Sequence, residues 1–72
     1  LVTKIKEFKN GDKYEGEMKD TKMDGKGIYT FLNGEIYNGE FKNDLFHGNG
    51  IYKWPDGKTE KGLWENDNFI KK

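Results

Sequence analysis

Residues 28–41 read Ile28-Tyr-Thr-Phe-Leu-Asn-Gly-Glu-Ile-Tyr-Asn-Gly-Glu-Phe41. From Glu35 to Phe41, two rings and a glycine fall on one parity, and Ile36, Asn38 and Glu40 fall on the other. This alternation is the period of a β-strand. Asn33-Gly34 just before it is a hairpin signal. Parity sets the loop length. A three-residue loop at 32–34 puts Phe31 opposite Glu35, Tyr29 opposite Tyr37 and Gly27 opposite Gly39. The ring and glycine faces of the two strands then coincide. A two-residue loop would set rings against the partner's other face, because a one-residue slip reverses every side chain. Trp54-Pro-Asp-Gly-Lys58 spells out the same loop. Pro55 suits the first central position of a type I turn, and Gly57 suits the left-handed residue after it. The same register pairs Tyr52 with Glu60 and Gly50 with Gly62 in one neighbour, and Lys6 with Tyr14 in the other.

Outward from this hairpin the chain repeats with a period of 23 residues. Gly11, Gly34 and Gly57 form one column, and Gly16, Gly39 and Gly62 another. Ile5, Ile28 and Ile51 align, as do Phe8, Phe31 and Trp54, and Met18, Phe41 and Trp64. Residues 5–27 and 28–50 agree at 10 of 23 positions. The third copy, 51–72, is incomplete and agrees with the second at 7 of 22. Three copies in phase mark a repeat array, read here as one domain over residues 1–72. Residues 19–25 and 42–48 are polar and end in glycine, and they read as longer connections returning the chain. The expected fold is all-β: an antiparallel meander of about six short strands in a single twisted sheet. One face carries the rings and glycines. No stretch has a 3.6-residue period with caps, so no helix is expected.

Composition narrows the function classes. The 72 residues suit one small domain of marginal stability. Cysteine is absent, which removes disulfides, Cys-based zinc sites and thiol nucleophiles. The 13 acidic and 13 basic residues cancel, so a strong pull toward nucleic acid or anionic membrane is not expected. Every basic residue is lysine, and bidentate recognition of phosphate or guanine is therefore missing. No apolar run approaches the ~20 residues of a membrane span, and no signal-peptide core is visible. A cytoplasmic, non-secreted protein is the expectation. His47, the single histidine, reads as a loop residue without metal partners or a nucleophile to activate. The carboxylates lie scattered among lysines, with no tuned acid/base pair. Asp20, Asp24 and Asp44 lack the 12-residue spacing of a calcium loop. The glycine pairs lie between strands, with no helix N-terminus to receive a phosphate. Neither catalysis nor a metal or cofactor is expected.

A family resemblance now becomes visible. Tyr14-Glu-Gly-Glu-Met18, followed by Gly25-Lys-Gly-Ile-Tyr29, resembles the MORN pattern: Tyr-x-Gly-x-aromatic, a polar loop, then Gly-x-Gly-x-aromatic. Tyr37-Asn-Gly-Glu-Phe41 with His47-Gly-Asn-Gly-Ile-Tyr52 matches it more closely. The likeness covers nearly the whole chain and implies an elongated, twisted hairpin ribbon with an aromatic-lined groove. The sequence departs from the pattern in three places. Glu60 stands where tyrosine belongs. No glycine pair follows Trp64; Lys71 and Lys72 stand there, so either the array ends in a charged cap or the sequence breaks off within a repeat. Residues 1–4 also lack the glycine pair, so an irregular first hairpin is expected.

The candidate partner-binding residues are Tyr14, Met18, Tyr29, Phe31, Tyr37, Phe41, Tyr52, Trp54 and Trp64. Tyrosine and tryptophan bring large contact area at little entropy cost. The competing reading makes the same rings the core, as burial tendencies favour for any single ring. A single sheet cannot hide both faces, so partial exposure of the face is expected. The structural glycines are Gly16, Gly25, Gly27, Gly34, Gly39, Gly48, Gly50, Gly57 and Gly62. Bare backbone at 16, 27, 39 and 50 lets rings lie flat or a partner chain approach. Ile28, Ile36, Ile51 and Leu63 lie on the opposite parity, as a thin second core or a dimer contact. Met23, Leu45 and Phe46 fall in the longer connections, where exposed apolar side chains can mark a contact.

The resemblance implies a non-enzymatic scaffold, similar to modules of cytoskeletal, ciliary and membrane-contact assemblies. These bind a helix or extended segment along the groove or associate with each other. Two alternatives are a weakly membrane-associating module using lysines such as Lys4, Lys6 and Lys9, and an accessory module of an enzyme lying outside these residues.

Overall fold

A computed structural model describes residues 2–71. They form one seven-stranded antiparallel sheet in strict sequence order. The strands are β1 (Val2–Glu7), β2 (Lys13–Lys19), β3 (Lys22–Thr30), β4 (Ile36–Lys42), β5 (Leu45–Lys53), β6 (Thr59–Glu65) and β7 (Asn68–Lys71). The strand count exceeds the expected six by one, because β7 forms where the glycine pair is missing. The sheet measures 31 × 23 × 16 Å along its principal axes.

The hairpin register follows the parity argument. Gly27 faces Gly39 and Tyr29 faces Tyr37; Tyr52 faces Glu60 and Gly50 faces Gly62; Lys6 faces Tyr14. The three-residue loops close with bonds from Phe8 N to Asp12 O at 2.9 Å, Phe31 N to Glu35 O at 2.8 Å and Trp54 N to Lys58 O at 2.9 Å. In each loop the glycine takes a left-handed φ, +98° at Gly34 and +94° at Gly57. The first hairpin is as regular as the others: β1 pairs with β2 without interruption from Val2–Met18 to Glu7–Lys13. The expected irregularity at the start does not occur.

Residues 19–25 and 42–48 are not long connections. Strands β2 and β3 meet across a turn at 20–21, β4 and β5 across 43–44, and β6 and β7 across 66–67. Asn43 and Asp44 have φ of 51° and 70°, and Asn66 and Asp67 have 49° and 70°. Two successive positive φ values are the signature of a type I′ turn. Asn and Asp tolerate that region better than other side chains. The extra residues form bulges inside the strands. Gly16 pairs with Gly27 but Met18 pairs with Met23, so three residues of β3 oppose Glu17 alone. Strand β5 repeats this opposite Glu40. In each bulge a carboxylate replaces the missing ladder partner: Glu17 Oε1 accepts from Lys26 N, and Glu40 Oε1 from Asn49 N, both at 2.7 Å. Gly25 and Gly48 turn the corner at φ of 104° and 85°.

Two inserted residues preserve parity, so Met23 and Phe46 return to the ring face. Met23 is buried, and Phe46 packs against the core. His47 and Leu45 are half-buried on β5 rather than in a loop. Each type I′ turn also grips the preceding repeat. Met23 N donates to Asp44 Oδ1 at 2.7 Å and Phe46 N to Asp67 Oδ1 at 2.7 Å. Asp44 N returns a bond to Met23 O.

Among the described residues, the opposite face has no second layer. Ile5, Ile28, Ile51 and Leu63 are exposed there; Glu15 and Asn38 separate the isoleucines across the strands, and Lys61 flanks Ile51 on its other side. Ile36 is half-buried. The expected charged cap falls on Lys72 and the side chain of Lys71, outside the described residues.

Candidate partner-binding face

The ring face has two tiers. The inner tier is Tyr14, Met18, Met23, Tyr37, Phe41 and Trp64, all buried, with Tyr14 and Tyr37 at 0% exposure. Each of those tyrosines leans along the glycine row of the neighbouring strand. A Cβ placed on Gly27 would meet Tyr14 first, its hydroxyl and then its Cε1 and Cζ at 2.6 Å. A Cβ on Gly50 would likewise meet Tyr37 first, with Cε1 at 2.5 Å. The glycine row therefore serves as a seat for the protein's own rings. Each hydroxyl finds a backbone acceptor: Tyr14 Oη donates to Glu17 O at 2.6 Å, and Tyr37 Oη to Glu40 O at 2.9 Å. The ring network then crosses repeats. Tyr37 stacks on Phe46 at 3.9 Å and meets Phe41 and Trp64 edge-on at 5.1 and 5.4 Å. Phe41 also meets Tyr14 edge-on at 4.9 Å. Edge-to-face geometry of this kind adds about 0.5–1.5 kcal/mol per pair beyond area burial.

The outer tier lies toward the three-residue loops. Phe8, Tyr29, Phe31, Tyr52 and Trp54 are all half-buried. Their centroids follow one another at 5.5, 4.8, 5.9 and 4.7 Å. Carboxylates pin the two tyrosines. Tyr29 Oη donates to Asp12 Oδ2 at 2.8 Å and Tyr52 Oη to Glu35 Oε1 at 2.5 Å. Asp12 is itself buried and also accepts from Leu32 N at 2.9 Å. The Leu32 N–H, followed by the Tyr29 hydroxyl, holds the Asp12 carboxyl below its ordinary value.

Of the nine candidate residues, Tyr14, Met18, Tyr37, Phe41 and Trp64 thus lie in the inner tier. Tyr29, Phe31, Tyr52 and Trp54 lie in the half-exposed ladder. Phe8 extends the ladder, and its column with Phe31 and Trp54 is visible in the repeat. Sequence reasoning passes over Asp12 and Glu35. Their signal is their shared repeat column, each 17 residues before the tyrosine it holds.

The MORN repeat family model matches residues 14–36 and 37–59, together well over half of the chain. The chain belongs to the MORN repeat family. Comparison with curated proteins gave no match. Each matched MORN unit starts on a fully buried tyrosine, Tyr14 or Tyr37. The unit is thus a ring, the glycine seat it needs on the next strand, and the turn that grips the repeat before. In this MORN array the third tyrosine position is Glu60, and among the described residues β7 pairs with Leu63–Glu65 of β6. No helix is long and apolar enough to cross a membrane among the described residues.

Burial raises the hydroxyl pKa of Tyr14, Tyr29 and Tyr37 from the ordinary 10.0 to about 12. Tyr52 moves further in the same direction, through burial first and then its bond to Glu35. A folded-state pKa above the unfolded one contributes stability that is whole below about pH 10 and lost as pH rises through about 12. Cooperative alkaline unfolding is therefore expected between roughly pH 10 and 12. Tyrosinate absorbance and far-UV circular dichroism should change together. Tyrosinate formation well ahead of the loss of strand signal would contradict the burial of these hydroxyls.

Proposed function

We propose that this MORN array is a non-catalytic interaction module that holds a partner protein along the outer ring ladder. One observation carries the reading: Phe8, Tyr29, Phe31, Tyr52 and Trp54 form a continuous row that the fold leaves half-exposed. The inner tier alone supplies the buried cluster. Rigid aromatic side chains, pre-set by carboxylates behind two of them, suit the anchors of an interface. A helix laid along the row or an extended segment across it would place apolar side chains between the rings. A cytoskeletal, ciliary or membrane-contact assembly is the setting proposed for such a partner.

The test is quantitative affinity capture with the chain and a Phe31→Ala/Trp54→Ala variant, both shown folded by circular dichroism. An Ile28→Ala/Ile51→Ala variant on the opposite face serves as control. Two hot-spot anchors lost together should weaken retention at least about 10-fold, with the control unchanged. Equal retention by all three would overturn the ladder as the docking surface.

A further inference from the structure

The face turned away from the rings carries a row of side chains with a direction. Across β2 to β6 the register sets Glu15, Ile28, Asn38, Ile51 and Lys61 side by side. All five are exposed. Neighbouring strands lie about 4.8 Å apart, so the two isoleucines stand about 10 Å from each other, each flanked by polar side chains. The row follows the repeat. Ile28 and Ile51 share one column, and Glu15, Asn38 and Lys61 share another. Along the sheet that second column changes from acidic through neutral to basic.

Such a row is complementary to its own reverse. Turned about a two-fold axis along β4, it places β3 over β5 of the other copy and β2 over β6. Glu15 then comes opposite Lys61 twice, Ile28 opposite Ile51 twice, and Asn38 meets itself, its amide being both donor and acceptor. Ile36, half-buried on the same face of β4, also meets itself. Glu40 approaches its own copy at that axis, with its Oε1 engaged by Asn49 N at 2.7 Å. The other two-fold axis in the plane of the sheet runs across the strands. It would set Glu15 on Glu15 and Lys61 on Lys61, which like-charge repulsion disfavours.

The relief of the face fits the same partner. A hollow of about 230 Å³ lies beside Ile51, bounded by Asn38, Asn49 and Lys61 over the bare backbone of Gly50 and Gly62. The apolar side chain that the two-fold axis brings to it is Ile28 of the other copy. Sheets packed face to face lie about 10 Å apart with strands within about 30°, which leaves depth for isoleucines to interdigitate. The longer axes of the sheet, 31 and 23 Å, give each copy a face of about 700 Å², near the ~800 Å² per partner of a standard interface. A lipid surface is a poorer match, because isoleucines set singly between Glu15, Asn38 and Lys61 form no continuous apolar patch.

We propose that this face is the interface of a symmetric dimer, in which two copies pack back to back about the β4 axis with Glu15 of each paired to Lys61 of the other. The contact is isologous and closes at two copies. Ile28 and Ile51 supply its apolar centre, and the charges on either side fix which way round the second copy lies. The ring ladders face outward on both sides of the dimer. The inference therefore stands apart from the ring-ladder reading: each copy presents its own rings, and capture of a partner there needs no second copy.

The test is sedimentation velocity of the chain over a concentration series, with Glu15→Lys, Lys61→Glu, the doubly reversed Glu15→Lys/Lys61→Glu and the ladder variant Phe31→Ala/Trp54→Ala, each checked for folding by circular dichroism. The native chain should pass from monomer to dimer as concentration rises and stop there. Each single reversal sets like charges together at both junctions and should weaken dimerisation at least about 10-fold. The double reversal restores both pairs with their signs exchanged and should recover the native affinity. An equimolar mixture of the two single variants should recover it too, as heterodimers in which every junction joins opposite charges. The ladder variant should dimerise like the native chain. Amide shifts on dilution should fall on Ile28, Asn38 and Ile51. Four results would each overturn the proposal: a native chain monomeric at millimolar concentration, dimers indifferent to the single reversals, a double reversal as weak as either single one, or dimers lost in the ladder variant.

Discussion

Replacing Gly39 with alanine should abolish the cooperative fold at room temperature. The added Cβ would press on the Gly50 backbone at Cα and on Asn49 O at 2.6 Å. Both are main-chain atoms in the adjacent strand, so no rotamer change relieves the overlap. Strands β4 and β5 would have to separate at the centre of the sheet. Forcing atoms into a packed site costs about 1–3 kcal/mol even where side chains can move, and here the backbone must move. A core of this size supplies only about 3–5 kcal/mol in total. Thermal melting by circular dichroism should show no sharp transition for Gly39→Ala. Ile5→Ala on the exposed face should stay within about 0.5 kcal/mol of the native chain. A Gly39→Ala protein that melts like the native one would contradict the close approach of the two glycine rows.

Tyr37→Ala is the second large effect, and it works by subtraction. Tyr37 is completely buried, stacks on Phe46 and meets Phe41 and Trp64 edge-on. Removing it empties the centre of the core and strips the ring from its seat on Gly50. Losses of about 3–5 kcal/mol are usual for deleting a buried aromatic side chain, which matches the whole stability expected here. Near-UV circular dichroism should lose its fine structure, and the chain should become protease-sensitive. Tyr37→Phe keeps the stack and gives up only the bond to Glu40 O, so a loss of about 1 kcal/mol is expected. If Tyr37→Ala and Tyr37→Phe behaved alike, the ring would not be the element that joins the repeats.

The sequence made half of each repeat legible and hid the other half for a physical reason. The three-residue hairpins could be read because parity, Asn-Gly and Pro-Asp-Gly all point to one register. The other hairpins were obscured by their bulges. Counting between Gly16 and its partner Gly27 leaves ten residues, which looks like a loop. In fact three of them, 24–26, fold into a bulge around the single carboxylate of Glu17. The remaining signal was Asn43-Asp44 and Asn66-Asp67, two consecutive residues suited to left-handed φ. Recognising that pair would have moved Met23 and Phe46 from loops to the ring face.

The candidate face was legible as a face but not as two tiers. Rings on one parity say which side is apolar. They do not say that Tyr14 and Tyr37 tilt over Gly27 and Gly50 while Tyr29 and Tyr52 tilt toward Asp12 and Glu35. That choice depends on the glycine seat in one case and a carboxylate in the other, both supplied from elsewhere in the chain. The tilt divides structural rings from rings open to a partner.

The central claim is that each glycine of the second row exists to seat a tyrosine from the strand before it. A double-mutant cycle between Tyr37→Ala and Gly50→Ala tests it most directly, measured by chemical denaturation in a stabilising osmolyte so that the weakest variant remains folded. A Cβ on Gly50 meets Tyr37 and nothing else nearer. Gly50→Ala should therefore be costly, about 1–3 kcal/mol, when Tyr37 is present and close to neutral once Tyr37 is alanine. Gly39→Ala, which meets the Gly50 and Asn49 backbone first and the Tyr37 hydroxyl only at 2.9 Å, should keep most of its cost in both backgrounds. Additive effects at Gly50, or rescue at Gly39, would contradict the account.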